Sequence, residues 1–272
     1  MRRLGGFLRG RLEFRPRPDD IYVVSYPRSG TTWMQVMLLH LVAERAPEFR
    51  HLSEASPWFE RALALGSARA EDFERWPSPR VFKSHLPCGW LPRPGRHVYV
   101  WRDGTDVAVS YFHFYRSHLG FEGDFAAFFA RFLTGDLQYR SWFSHVEDWM
   151  AHAGRPDTFV VRYEELKADR AATLERLAHF LGLSLSPARR DQILAATTFE
   201  AMKSHEEKFD HVSERPAERA RLPSAFIRAG AVGEGQKTLT EAQKVAFEAA
   251  WQAARSRRHR LGPPLRLSAF LH

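Results

Sequence analysis

Residues 26 to 33 read YPRSGTTW and follow a short apolar run, Ile21-Tyr22-Val23-Val24. A glycine in a tight turn, the hydroxyls of Ser29, Thr31 and Thr32 and the cation of Arg28 are the ingredients of an anion cradle. If a helix opens near Thr31, its first unpaired N–H groups and positive dipole end point at whatever sits in the turn. The chemistry is that of a phosphate site. A nucleotide triphosphatase loop needs G-x-x-x-x-G-K-[ST]; laid on this frame, Ser25 takes the place of the first glycine and Thr31 that of the lysine. No lysine is then placed to reach a γ-phosphate, which disfavours the alternative of a P-loop-type nucleotide kinase.

Lys83 and His85, in RVFKSHLP, stand two apart at the carboxyl end of an expected strand, so extended geometry sends both side chains from one face. An imidazole titrates near neutrality and can take a proton from a hydroxyl or an amine; an adjacent ammonium can hold a departing oxyanion. A further cation, Arg102, ends the next expected strand in VYVWRDGTDVAVSYFHF. Asp103 can cap the following helix, Asp106 is expected as a capping-box-like partner, and Ser110 lies about two turns inside. An arginine at the carboxyl end of a parallel strand shares a sheet edge with Gly30, where α/β proteins bind ligands. Together these point to a ligand with two separated phosphates.

The elements that must position these groups are strands expected at Ile21 to Ser25, Arg80 to Lys83, His97 to Trp101 and Thr158 to Arg162. Their continuous apolar character is that of strands buried on both faces, hence a parallel sheet. Helical spacing fills the gaps: Trp33, Val36, Met37, His40 and Leu41; Trp142, Val146, Trp149 and Met150; Leu174, Leu177, Ala178 and Leu181. The alternation predicts an α/β fold, a central mostly parallel sheet with helices on both faces; the P-loop NTPase-like form of that architecture is what a family resemblance carried by the motifs implies. At 272 residues the chain reads as a single domain, 1–272, with an Arg-rich leader of about 1–18 packing loosely on it and a long lid-like loop at about 203–235.

Composition narrows the classes. The single cysteine, Cys88, excludes an internal disulfide and a cysteine-rich metal site, and fits a reducing, cytoplasmic setting. No apolar run approaches the roughly 18–20 residues that span a bilayer. The net charge of +8 is largely dispersed. A non-catalytic basic binder of nucleic acid is the alternative from a different class, but no strand interleaves basic and aromatic residues, and no nucleic-acid partner is expected.

Six stretches, YPRSGTTW, FKSHLP, RDGTDVAVSYFHF, VRYEELKAD, TTFEAMK and FIRAGAVGE, resemble in order and spacing the cytosolic sulfotransferases. That family moves a sulfuryl group from 3′-phosphoadenosine 5′-phosphosulfate (PAPS) to an alcohol, phenol or amine. The resemblance implies that Arg28, Ser29, Gly30, Thr31 and Thr32 hold the 5′-phosphosulfate, with Trp33 near the adenine. It implies His85 as the base, Lys83 and Arg28 as the cations at the transferring group, and Arg102 and Ser110 on the 3′-phosphate. Tyr163, Thr197, Phe199 and Met202 would line the adenine, and Arg228 and Gly230 would close over the 3′-phosphate. The stretch departs from the family where Arg28 replaces the usual lysine, where Ala229 removes a cation, and where GEGQK lacks the usual tryptophan.

The expected reaction is direct in-line transfer without a metal, leaving 3′-phosphoadenosine 5′-phosphate (PAP). Trp58, Phe59, Trp76, Phe112, Phe114 and Phe121 crowd the regions around the expected pocket, favouring a small apolar or aromatic acceptor with one exposed nucleophile. Oligomeric state has no signal in the sequence.

Overall fold

The structure, a computed structural model, describes residues 2–209 and 226–258. In chain order its elements are α1 (Arg2–Glu13), β1 (Ile21–Val24), α2 (Thr31–Val42), α3 (Phe59–Leu65), α4 (Ala70–Glu74), β2 (Val81–Ser84), β3 (Arg96–Trp101), α5 (Gly104–Leu119), α6 (Phe125–Thr134) and α7 (Trp142–Met150). There follow β4 (Thr158–Arg162), α8 (Tyr163–Ala168), α9 (Arg170–Leu181), α10 (Pro187–Ala196), α11 (Phe199–Lys203), α12 (Glu234–Thr238) and α13 (Glu241–Arg258).

The strands form one parallel sheet in the order β2-β1-β3-β4. Every residue of β1 is buried, as the unbroken apolar run requires, because each face of the sheet carries a helical layer. One face, through Tyr22, Val24, Phe82 and Tyr99, packs on an aromatic core with Phe7, Phe59, Phe128 and Trp149. The other, through Ile21, Val23, Val81, Val98 and Val100, packs on Met34, Met37, Leu38, Leu174, Leu177 and Ile193. The result is the three-layer α/β architecture expected from the alternation of periods. After β1 the chain adds β2 on one side and then crosses to β3 on the other, so the carboxyl end of β1 lies at a topological switch point.

One local expectation needs correction. The Arg-rich start is the ordered helix α1, and it does not pack loosely: Phe7 is fully buried and Phe14 nearly so, packing edge-on against Phe59. A buried phenylalanine contributes about 2–3 kcal/mol, enough to hold a basic helix down. The expected lid falls partly on residues 210–225, which lie outside the described residues; within 226–235 the chain is already turning into α12 at Glu234.

The opposite edge of the sheet is tied by an ion pair. Arg80 and Asp20, both fully buried, meet through two hydrogen bonds of 2.7 Å, Arg80 Nε to Oδ1 and Nη2 to Oδ2. The remaining guanidinium donors reach the carbonyls of Phe73 and Arg15. The pair thus joins the starts of β1 and β2 to the end of α4 and the chain after α1.

Candidate active site

Five of the longer helices, α5, α6, α7, α9 and α10, open on a side-chain cap. The helix α2 opens on Gly30, at φ 100°, with no side-chain cap. Its first N–H groups are therefore directed into the turn after β1, as an anion site needs. The glycine is required twice over: its φ is left-handed, and a Cβ there would meet the Tyr163 ring at 2.7 Å. Arg28 adopts a left-handed φ of 69°, and its guanidinium lies between the rings of Phe114 and Phe226, 5.2 Å from each centroid. Its Nε donates to Ser110 Oγ at 3.3 Å and its Nη2 to the Phe226 carbonyl at 3.1 Å. The Thr31 hydroxyl is hydrogen-bonded to that of Ser25, which fixes the turn to the end of β1.

At the end of β2, His85 is held on three sides. Its Nδ1 lies 2.7 Å from the Ser25 carbonyl, so Nδ1 carries the proton and Nε2 keeps a lone pair. Its main-chain N–H donates to Glu60 Oε1 at 2.8 Å, and its carbonyl lies 3.2 Å from His145 Nε2. Burial lowers the His145 pKa to about 3, so this imidazole is neutral and its Nε2–H is the donor; Nδ1 faces the Tyr99 hydroxyl at 3.1 Å. The His85 ring meets Trp58 and Tyr139 edge-on, with centroids 5.0 Å away in each case. The Lys83 ammonium lies over the Trp58 ring, 3.9 Å from its centroid.

At the end of β3, Arg102 is 5% exposed and stacks over Tyr163, 4.6 Å from the ring centroid. Its Nη1 donates to the Arg28 carbonyl at 3.3 Å and its Nη2 to the Ala231 carbonyl at 2.5 Å, so it touches both the phosphate turn and the segment before α12. Asp103 caps α5 as expected, accepting from the N–H groups of Thr105 and Asp106. Asp106 does not complete a capping box. Its carboxylate turns away to accept the Gly235 N–H at 2.7 Å and the Gly233 N–H at 2.9 Å, main-chain donors at the start of α12 that lie beside it. Gly235 packs so closely that a Cβ would lie 2.2 Å from Thr105 Oγ1. Arg228 makes a two-pronged ion pair with Glu234, which holds the Glu234 carboxyl below its usual range. Gly230 accepts at its carbonyl from the Tyr163 hydroxyl at 3.1 Å.

These groups surround one cavity of about 780 Å³. Arg28, Gly30, Thr31, Thr32 and Trp33 line it from the first turn, Lys83 and His85 from β2, and Arg102 and Ser110 from β3 and α5. Tyr163, Phe199, Met202, Arg228 and Gly230 line it as well. Two expected residues do not reach it. Ser29 is fully buried beneath the turn, and Thr197 is turned inward, its hydroxyl on the Ile193 carbonyl and its own carbonyl on the Trp33 indole; Thr198 takes its place on the wall. The sequence gives no sign of Glu60 and reads His145 as a structural histidine of a helical pattern; both hold the His85 main chain. Nothing in an isolated Glu or a helical His signals that role; it depends on contacts sixty or twenty-five residues away.

The cavity suits a ligand with two separated anionic groups. Arg102 Nε and Arg228 Nε, on residues that line the cavity, are buried and meet no hydrogen-bond partner among the described residues. Such groups are costly unless something completes them. Cations line the cavity from the phosphate turn (Arg28), from β2 (Lys83), from the end of β3 (Arg102) and from the segment before α12 (Arg228). Among the described residues no three His, Cys, Asp or Glu side chains converge as metal ligands, and no helix is long and apolar enough to cross a membrane.

Residues 18–259 match the family described as Sulfotransferase domain. The chain is similar to Sulfotransferase 1A1 of Bos taurus, 33% identical over 251 residues that cover 87% of this chain and 83% of that protein. It is similar also to Cytosolic sulfotransferase 1 of Danio rerio, 35% identical over 251 residues, with 86% and 82% covered. Among solved structures, a mouse sulfotransferase complexed with PAP superposes with a TM-score of 0.71 at 26% identity, covering 96% of this chain and 95% of that one. Retinol dehydratase in complex with androsterone and the inactive cofactor PAP superposes with a TM-score of 0.80 at 23% identity, covering 96% and 88%.

Proposed function

The chain belongs to the sulfotransferase family and is a sulfuryl-transferring enzyme, and on that premise we propose that PAPS is the donor, His85 the base and a small apolar or aromatic alcohol, phenol or amine the acceptor. The observation that carries the proposal is the Nδ1–H of His85 on the Ser25 carbonyl at 2.7 Å, which reserves Nε2 for an incoming proton in the same cavity as the uncapped start of α2.

In this reading the 5′ end of the donor occupies the turn from Arg28 to Thr32, within reach of the first N–H groups of α2. Its 3′-phosphate completes Arg102, Ser110 and Arg228, with Arg228 exchanging Glu234 for the phosphate. Trp33, Tyr163, Phe199 and Met202 enclose the base between the two. The acceptor enters along Trp58, Phe114 and Tyr139, walls that suit a flat apolar body. As the acceptor oxygen or nitrogen bonds to sulfur, His85 Nε2 takes its proton, and the bond from sulfur to the bridging phosphate oxygen breaks. Lys83 and Arg28 stabilise the charge that gathers on the sulfuryl oxygens and the leaving phosphate. Arginine at position 28 supplies the charge through a planar fork already engaged with Ser110, where an ammonium would make a point contact. PAP leaves with the phosphate. A reducing, cytoplasmic setting fits this chemistry and the buried thiol of Cys88.

Turnover of labelled PAPS with a panel of phenols, alcohols and amines tests the proposal. His85→Asn is expected to lower kcat by about 10²- to 10⁴-fold with PAP still bound. Undiminished turnover by that variant would remove His85 from the reaction.

A further inference from the structure

Glu60 lies in the first turn of α3, 1% exposed, on an element separate from the phosphate turn and from β2. A single oxygen, Oε1, receives two donors: the His85 main-chain N–H at 2.8 Å and the Trp58 indole Nε1–H at 2.6 Å. The two donors belong to residues whose rings face each other, for the Trp58 and His85 rings stand at 90° with centroids 5.0 Å apart. Trp58 in turn carries the Lys83 ammonium over its ring. Burial pushes the Glu60 carboxyl up, and the hydrogen bonds from His85 and Trp58 draw it back. A carboxyl is costly in such a place unless donors compensate it; His85 and Trp58 lead that compensation, and the Glu60 main-chain N–H and the Ser84 hydroxyl add to it.

We infer that Glu60 is a positioning residue that sets the acceptor wall at a fixed distance from the base. The inference rests on the assignment of His85 as base. Glu60 acts through two other residues: it sets the pitch of the main chain at His85 and the rotation of the Trp58 indole. Phenylalanine at position 58 would keep an aromatic wall but lose the donor, and the link with it. Apart from Lys83, the groups at the phosphate-type sites stand on the turn before α2, on α2, at the end of β3, on α5 and on the segment before α12, none of which bonds to Glu60. Loss of Glu60 therefore slows transfer and leaves donor affinity alone.

The experiment compares Glu60→Ala, Glu60→Gln, Trp58→Phe and the double variant Trp58→Phe/Glu60→Ala in the full chain. The readouts are kcat, acceptor and donor KM, the PAP dissociation constant by calorimetry, and the His85 imidazole signals in ¹⁵N-histidine-labelled protein, assigned with His85→Asn. Glu60→Ala is expected to lower kcat by about 10- to 100-fold, the scale of a misplacement near one ångström, with PAP affinity within about twofold. Glu60→Gln, which keeps an accepting oxygen, recovers most of that loss. Trp58→Phe lowers kcat in the parent chain and adds little in the Glu60→Ala background, and the His85 signals shift in Glu60→Ala. A kcat within about threefold of the parent, or a parallel loss of PAP affinity, overturns the inference. So does Glu60→Gln being as slow as Glu60→Ala. If Glu60→Ala does not fold, Trp58→Phe reads the link from its other end, and an undiminished kcat there overturns it. Failure of the base assignment is seen separately: His85→Asn then turns over normally, while the His85 signals still report whether Glu60 holds the ring.

Discussion

Arg102 and Asp106, one helical turn apart with guanidinium and carboxylate 3.5 Å from each other, grip opposite polarities of the same lid segment. Arg102 donates to the carbonyl of Ala231, and Asp106 accepts from the N–H groups of Gly233 and Gly235. The segment that carries Arg228 and Gly230 is thereby fastened to the start of α5.

Asp106→Ala would leave both lid N–H groups without their acceptor. Each orphaned donor costs about 1–3 kcal/mol, so PAP affinity is expected to fall by roughly 30-fold or more. Calorimetric titration checks this, and Ser110→Ala, which leaves the clasp in place, is expected to cost less.

Gly235→Ala inserts a methyl group where Thr105 backbone carbon lies 2.4 Å away. Main chain cannot yield as a side chain can, so α12 must shift off α5. A lower Tm and weaker PAP binding are expected. Gly5→Ala, in α1, is the reference for a methyl group added to helical backbone in open space.

Two buried histidines make acid stability measurable. Burial lowers the His97 pKa from 6.5 to about 4 and that of His145 to about 3. The unfolded chain then binds more protons than the folded one below about pH 6.5. Their contribution is complete above that value and is lost as pH falls towards 4. At about 1.4 kcal/mol per unit, His97 alone accounts for about 3 kcal/mol across that window. Urea midpoints at pH 7.5 and 4.5 should show the fall, and His97→Phe should flatten it.

Asp20→Ala leaves the fully buried Arg80 guanidinium with only the partly exposed Glu74 carboxylate, 3.6 Å from Nη1, as counter-ion. A loss of about 3–5 kcal/mol is expected, read as a drop in denaturant midpoint. The double change Asp20→Ala/Arg80→Met should recover part of it, because no unpaired charge then remains.

The four strands were legible because burial on both faces demands unbroken apolar runs, and β1 differs from the expected Ile21 to Ser25 by one residue. The phosphate turn was legible because Gly30 and its hydroxyls are contiguous. Asp106 was misread because three-residue spacing from a cap is a local signal, whereas its partners lie 127 and 129 residues on. Glu60 and His145 escaped for the same reason. The N-terminal helix was underestimated because arginine density hides Phe7, the residue that docks it. Local chemistry was written in short stretches; the support beneath it was assembled by the fold.

Ser25 offers its carbonyl to the His85 ring and its hydroxyl to Thr31. One peptide unit thus serves both halves of the reaction, so a lineage that reshaped the turn for some other anion would drag the imidazole along with it. Recognition of the anion and the aim of the base therefore share one mechanical anchor, and a change that moves it disturbs both.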